Sequence, residues 1–139
     1  MKIKLINYGY ENLPFRAHYN DAGADVHACL KDRKVMTVLP HETKKVPLGF
    51  GLIIPDGMMG LVFPRSGLSS NGIVCELPPI DSGYRGEIHA IVTNHTDEPY
   101  TIIHGDRIGQ LVIIPIIIPE FVNTIDRSRG DRGFGSTGI

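Results

Sequence analysis

VMTVLPHETKKVPLGFGLIIPDGMMGLVFP, residues 35–64, is the stretch from which the fold class is read. Four short runs rich in Val, Ile, Leu, Phe and Met, at residues 35–39, 43–47, 49–54 and 59–64, alternate with turn formers such as Pro40 and Pro55-Asp56-Gly57. Runs of this length, punctuated every eight to twelve residues by Gly or Pro, predict an all-β sandwich or barrel. The same rhythm extends outward and predicts further strands over residues 2–6, 25–29, 87–93, 100–103 and 108–118. Apolar residues nowhere recur at helical spacing for three turns, so the expected helix content is one short turn over residues 67–71.

A chain of 139 residues is one domain in length, enough to bury roughly two-thirds of its unfolded surface. A net charge of −1 offers no general field for nucleic acid or an anionic membrane, so a bound anion needs a local cluster. The N-terminal residues lack an apolar export signal, and the longest apolar run, LVIIPIII at residues 111–118, is too short to span a bilayer. Two cysteines, Cys29 and Cys75, without metal-type spacing fit a reducing compartment. Cytoplasmic location, without direct nucleic-acid or membrane binding, is therefore expected. Asn94-His95-Thr96 matches a glycosylation sequon, read here as a chance match.

Two segments break the alternating pattern. LVIIPIII is apolar on successive residues, as in a strand covered on both faces. It is either a central core strand or a strand whose outer face meets a second copy of the chain. DRSRGDRGFGSTGI, residues 126–139, is Gly-rich and has little that could join a core. The expected division is a β-sandwich domain over residues 1–125 and a flexible arm over 126–139. Phe134 between two glycines could lie flat on a planar partner, and glycine lets backbone amides approach an anion closely.

Candidate chemistry lies at strand ends. Pro64-Arg65-Ser66-Gly67 presents a guanidinium, a hydroxyl and free amides together, an anion site or an ordinary strand-end turn. In IDSGYRGEI, residues 80–88, Asp81 is a general base or a turn carboxylate capping backbone amides, with Tyr84 a flat wall three residues on. Asp21 and Asp25 flank small residues in DAGADV, where they could orient an arginine, hold waters of a divalent ion, or simply be solvated. Gln110 in RIGQL is a phosphate contact or a satisfied core amide. Phosphate-loop, dinucleotide, nucleophile-elbow and zinc-protease motifs are absent, and the six histidines are scattered singly.

Taken in order, DAGADV (21–26), PRSGLS (64–69), IDSGYRGEI (80–88), RIGQL (107–111) and RGDRGFGSTG (129–138) resemble the five signature motifs of the trimeric dUTPase family. The resemblance implies a jelly-roll β-sandwich, a homotrimer with active sites shared between subunits, and hydrolysis of dUTP to dUMP and pyrophosphate. That reaction limits uracil incorporation into DNA and supplies dUMP for dTMP synthesis. It further implies that Asp81 activates the water attacking the α-phosphorus and that Tyr84 packs on the deoxyribose. Arg65, Ser66, Gly67 and Gln110 would hold the phosphates, and Pro79, Ile80 and His89 would lie beside uracil. Arg129 would clamp the γ-phosphate, Phe134 would stack on the base, and Gly135 and Ser136 would add contacts from the arm. Asp25 would support Arg65 or touch Mg²⁺ through water, the ion being held chiefly by the triphosphate. Pro78-Pro79 departs from the family's hairpin, because proline has no amide to offer the base. The rival readings are a dCTP deaminase, which shares fold and trimer, and a dUTP-responsive regulatory protein.

Overall fold

The structure is a computed structural model, and it describes residues 1–124. The segment 126–139, with Arg129, Phe134, Gly135 and Ser136, lies outside the described residues. Among the described residues ten strands carry the fold: β1 (Lys4–Asn7), β2 (Ala24–His27), β3 (Val35–Val38), β4 (Thr43–Pro47), β5 (Phe50–Ile53), β6 (Met58–Phe63), β7 (Ile73–Glu76), β8 (His89–Asn94), β9 (Tyr100–Ile103) and β10 (Arg107–Pro115). One helical turn, α1 (Ser66–Ser69), follows β6, and a 3-10 turn, Lys31–Arg33, precedes β3. All pairings are antiparallel: β1 with β5, β3 with β9, β10 between β2 and β6, and β8 between β4 and β7. The molecule is thus a jelly-roll-like β-sandwich, as its sequence predicts.

Periodicity two explains which side chains enter the core. Val46 on β4 and Ala90 and Val92 on β8 are fully buried, while Lys45, His89 and Ile91 point to the other face. Phe50, Leu48, Leu52, Val38, Ile102 and Ile108 join them in one hydrophobic core. Gly49 is a joint in that core. Its φ of 79° suits glycine, and a Cβ there would lie 2.7 Å from Cys29 Sγ. Its amide donates to Glu87 Oε2 (3.0 Å), and its carbonyl accepts from the amides of Tyr8 (2.9 Å) and Tyr10 (3.0 Å). The N-terminal segment, β5 and the hairpin before β8 therefore meet at one residue.

The strands over 43–47 and 100–103 coincide with the sequence expectation. β7, Ile-Val-Cys-Glu between Gly72 and Leu77-Pro78, is a strand absent from the sequence expectation. In the run 111–118 the central-strand reading holds for the first part. β10 is a central strand as far as Pro115, with Ile108, Gly109 and Leu111 buried. Beyond it, Ile117, Ile118, Phe121 and Val122 are 90%, 73%, 91% and 75% exposed in the single chain.

Asn94 of the sequon is wholly buried. Its Nδ2 donates to the carbonyls of Val38 (3.0 Å) and Glu98 (2.7 Å). Its Oδ1 accepts from the amide (2.9 Å) and hydroxyl (2.7 Å) of Thr96. Removing a buried side chain that satisfies this many groups leaves carbonyls without partners. Asn94→Ala is expected to destabilise the fold by about 3 kcal/mol, seen as a lower urea midpoint at unchanged m-value. A loss under about 0.5 kcal/mol would show that water replaces the side chain at no cost.

Candidate active site

The residues singled out from the sequence fall into two clusters. The first is built on β2, β10 and β6. Register places Gln110 of β10 opposite both Asp25 of β2 and Phe63 of β6. The Asp25 carboxylate lies between two guanidinium groups, with Arg65 Nε 3.3 Å from Oδ1 and Arg107 Nη1 3.4 Å from Oδ2. Asp25 is thus in contact with two arginines at once. Gln110 Nε2 donates to Pro64 O (2.9 Å), which ties β10 to the turn that carries Arg65. That is the satisfied-amide reading, and it leaves Oε1 for other partners. Gly23 makes room for this arrangement, because a Cβ there would sit 2.5 Å from Gln110 Oε1.

Arg65 precedes α1 in extended conformation, and the first hydrogen bonds of that turn run from Ser69 N to Arg65 O and from Ser70 N to Ser66 O. The amides of Ser66, Gly67 and Leu68 consequently have no acceptor inside the helical turn. Ser66 and Gly67 are exposed, and a Cβ at Gly67 would meet open space. The same edge holds His27, whose buried Nδ1 has no hydrogen-bond partner among the described residues. Burial pushes the His27 pKa down; Asp25 opposes this, and Arg107 and Arg65 reinforce it.

The second cluster lines a cavity of about 230 Å³. Its walls include Pro79, Ile80, Asp81, Tyr84 and His89, five residues chosen from the sequence, together with Lys45, Glu76 and Glu87, which were not. Asp81 is exposed, and its main-chain carbonyl accepts from Tyr84 N (3.1 Å) to form the turn. Among the described residues its carboxylate caps no backbone amide, so the turn does not consume it. Tyr84 donates through Oη to Glu87 O (3.1 Å). Its ring occupies the space above Gly86, where any Cβ would collide with it. Glycine at 86 is thus what lets the ring lie down. His89 Nδ1 is 3.1 Å from Glu87 O.

The hairpin is fixed to β6 by a two-bond bridge. Gly60 N–H donates to Ile80 O (3.0 Å), and Ile80 N–H donates to Gly60 O (2.8 Å). This sharpens the expectation for uracil. Pro78 and Pro79 have no amide, and that of Ile80 is engaged, so the chain from 78 to 80 presents no unengaged N–H. Lys45 and Glu76 enter the cavity because both lie opposite Ile91, across β4–β8 and β7–β8. Only strand register brings these two together. Neither Arg65, Asp25 nor Gln110 is among the cavity's walls. One chain therefore carries a carboxylate-and-tyrosine half and a cationic half at different places.

The family model described as dUTPase matches residues 10–138. The deoxyuridine 5'-triphosphate nucleotidohydrolase of Rhizobium rhizogenes is 41% identical over 143 residues, covering 99% of this chain and 92% of its own. Staphylococcus bacteriophage 80alpha dUTPase, solved with dUpNHpp, superposes with a TM-score of 0.81 at 28% identity, covering 99% of each chain. A dUTPase of phage phi11 of S. aureus, described with a structural Mg(II) ion, gives a TM-score of 0.80 at 26% identity, covering 91% of this chain and 98% of its own. With a family match over residues 10–138 and a relative 41% identical over nearly the whole chain, this chain belongs to the dUTPase family.

Proposed function

We propose that this protein hydrolyses dUTP to dUMP and pyrophosphate through a water activated by Asp81, at sites completed between subunits. The observation that carries this reading is the separation of the two halves within one chain. The cavity offers a carboxylate beside an aromatic wall, and the cationic edge offers Arg65 with free amides, yet they are distinct places. A neighbouring copy would bring its cationic edge to this cavity. The exposed apolar residues beyond Pro115 supply a surface for such a neighbour.

In this reading deoxyuridine enters the cavity, and Tyr84, held down on Gly86, packs against the sugar and excludes a 2′-hydroxyl. Pro79, Ile80 and His89 flank the base. Polar contacts to it come from side chains such as Lys45, Glu76 and His89, given the engaged or missing amides at 78–80. Arg65, Ser66 and Gly67 take the phosphates, and Gln110 steadies their turn through Pro64. Asp81 takes a proton from the water as it attacks the α-phosphorus in line with the pyrophosphate leaving group. Positioning and charge neutralisation supply most of the acceleration for such a reaction. From the arm, Arg129 contacts the γ-phosphate and Phe134 stacks on uracil, with Gly135 and Ser136 adding contacts.

The donor chemistry fits Mg²⁺ delivered with the triphosphate. No group of three His, Cys, Asp or Glu among the described residues could hold the ion directly. Asp25 has both oxygens beside guanidinium nitrogens, but each keeps a lone pair that a water of the ion's shell can use. When bound, the ion would supply charge neutralisation to the triphosphate, with Asp25 placed to reach its hydration shell.

Asp81→Asn keeps the shape of the cavity but removes the base. It is expected to leave dUpNHpp binding within about twofold and to lower kcat on dUTP by at least ~100-fold; unchanged turnover would take Asp81 out of its role. Deleting residues 129–139 is expected to lower kcat by at least ~100-fold, the cost of losing charge-stabilising donors, with oligomer mass and melting temperature preserved. Dissociation of the truncated chain would instead make the arm structural. Light scattering on the purified protein is expected to give the mass of three chains, and a monomer with full activity would overturn the shared site.

A further inference from the structure

β10 does not run regularly against β2. Arg107 pairs with His27 and Gly109 with Val26, so Ile108 is an extra residue on β10 at that point. In a regular strand residues 107 and 110, an odd number apart, would face opposite sides. The inserted residue resets the alternation. Ile108, Gly109 and Leu111 turn into the core, while Arg107 and Gln110 share the outer face with Asp25 and His27. The bulge is what places a second arginine on the Arg65 side of the molecule.

On that face two guanidinium groups meet one carboxylate. Asp25 gives one oxygen to each arginine, which shields the two cations from each other while leaving the cluster net positive. Burial lowers the His27 pKa, and the two arginines add to that, so its ring is disfavoured as a third cation. Arg107 is the more open of the two, its side chain 58% exposed against 31% for Arg65. Its contact to Asp25 uses Nη1, and a guanidinium has further N–H donors for a phosphate oxygen.

We infer that Arg107 is a second phosphate-binding residue of the site, aimed by the bulge at Ile108 and held by Asp25 alongside Arg65. The inference rests on the dUTP reading for the identity of the anion. Sequence spacing hides it, because only the irregular register turns Arg107 outward. Asp25 acts as a positioning residue for both arginines. A cation that meets the phosphate chain contributes more as phosphates are added, which a purely structural arginine does not.

The test compares the full-length protein with Arg107→Ala and Arg107→Lys, using dUMP and dUpNHpp as ligands and dUTP as substrate. The unsubstituted protein is measured first: if it neither binds dUpNHpp nor hydrolyses dUTP, the dUTP reading fails and this inference fails with it. Given that activity, Arg107→Ala is expected to weaken dUpNHpp by about tenfold and dUMP by less than about twofold. KM for dUTP should rise by a similar factor, with kcat within about threefold. Arg107→Lys, which keeps the charge, is expected to recover most of the lost affinity. Equal weakening of both ligands, or an affinity for dUpNHpp unchanged in Arg107→Ala, would overturn the assignment. If Arg107→Ala melts well below the unsubstituted protein, Arg107→Gln, closer in length and polarity, carries the same comparison with the same outcomes.

Discussion

β10 is hydrogen-bonded along both edges, to β2 on one side and β6 on the other, and the cationic half of the site exists because of that double pairing. Asp25, Arg65 and Arg107 are far apart along the chain, and Gln110 sits on the strand that unites them. Flexible side chains alone would not gather two guanidinium groups, since like charges at close range repel unless a counter-ion lies between them. The backbone ladder sets the spacing and Asp25 provides the counter-ion. Gln110 then links the ladder to the turn after β6 through Pro64, so the position of the Arg65 turn depends on the central strand as well as on β6.

The other half obeys a similar logic with different materials. Two backbone hydrogen bonds between Gly60 and Ile80 hold the hairpin to β6, and a third contact, from Gly49 N–H to Glu87, holds it to the core. Between these anchors the turn carrying Asp81 and Tyr84 is short and exposed. Rigid supports at both ends allow an exposed carboxylate to keep its place relative to a cavity without being buried, which would raise the cost of its charge. Gly86 completes the device by giving the Tyr84 ring a surface with no side chain in the way. The Ile80 amide is taken up by the bridge and the prolines before it have none, so polar groups facing the cavity come from side chains such as Lys45 and Glu76.

Both halves share a dependence on strand ends. The core face of each strand is filled by Val, Ile, Leu and Phe, and the chemistry sits where strands stop and turns begin: Arg65 after β6, Asp81 before β8, Arg107 at the start of β10. Such positions tolerate polar residues because backbone and side chain alike reach solvent there. They are held accurately because the strands behind them are not free to move.

The chain order of short apolar runs was enough to establish an all-β protein, since alternation and turn residues are local properties that each segment carries with it. The five motifs were equally legible, being contiguous stretches whose residue types and order survive without any knowledge of pairing. What the chain order left open was everything that depends on register. Lys45 and Glu76 line a cavity because both face Ile91 across separate ladders. Arg107 faces Asp25 because one residue is inserted in β10. Asn94 resembles a modification site in sequence and proves to be a buried bracket for two carbonyls. In each case the deciding neighbour lies tens of residues away or on a face that local alternation misassigns. Local sequence determines which groups are available; only the pairing of distant strands determines which of them meet, because hydrogen-bonded register is a property of two segments at once.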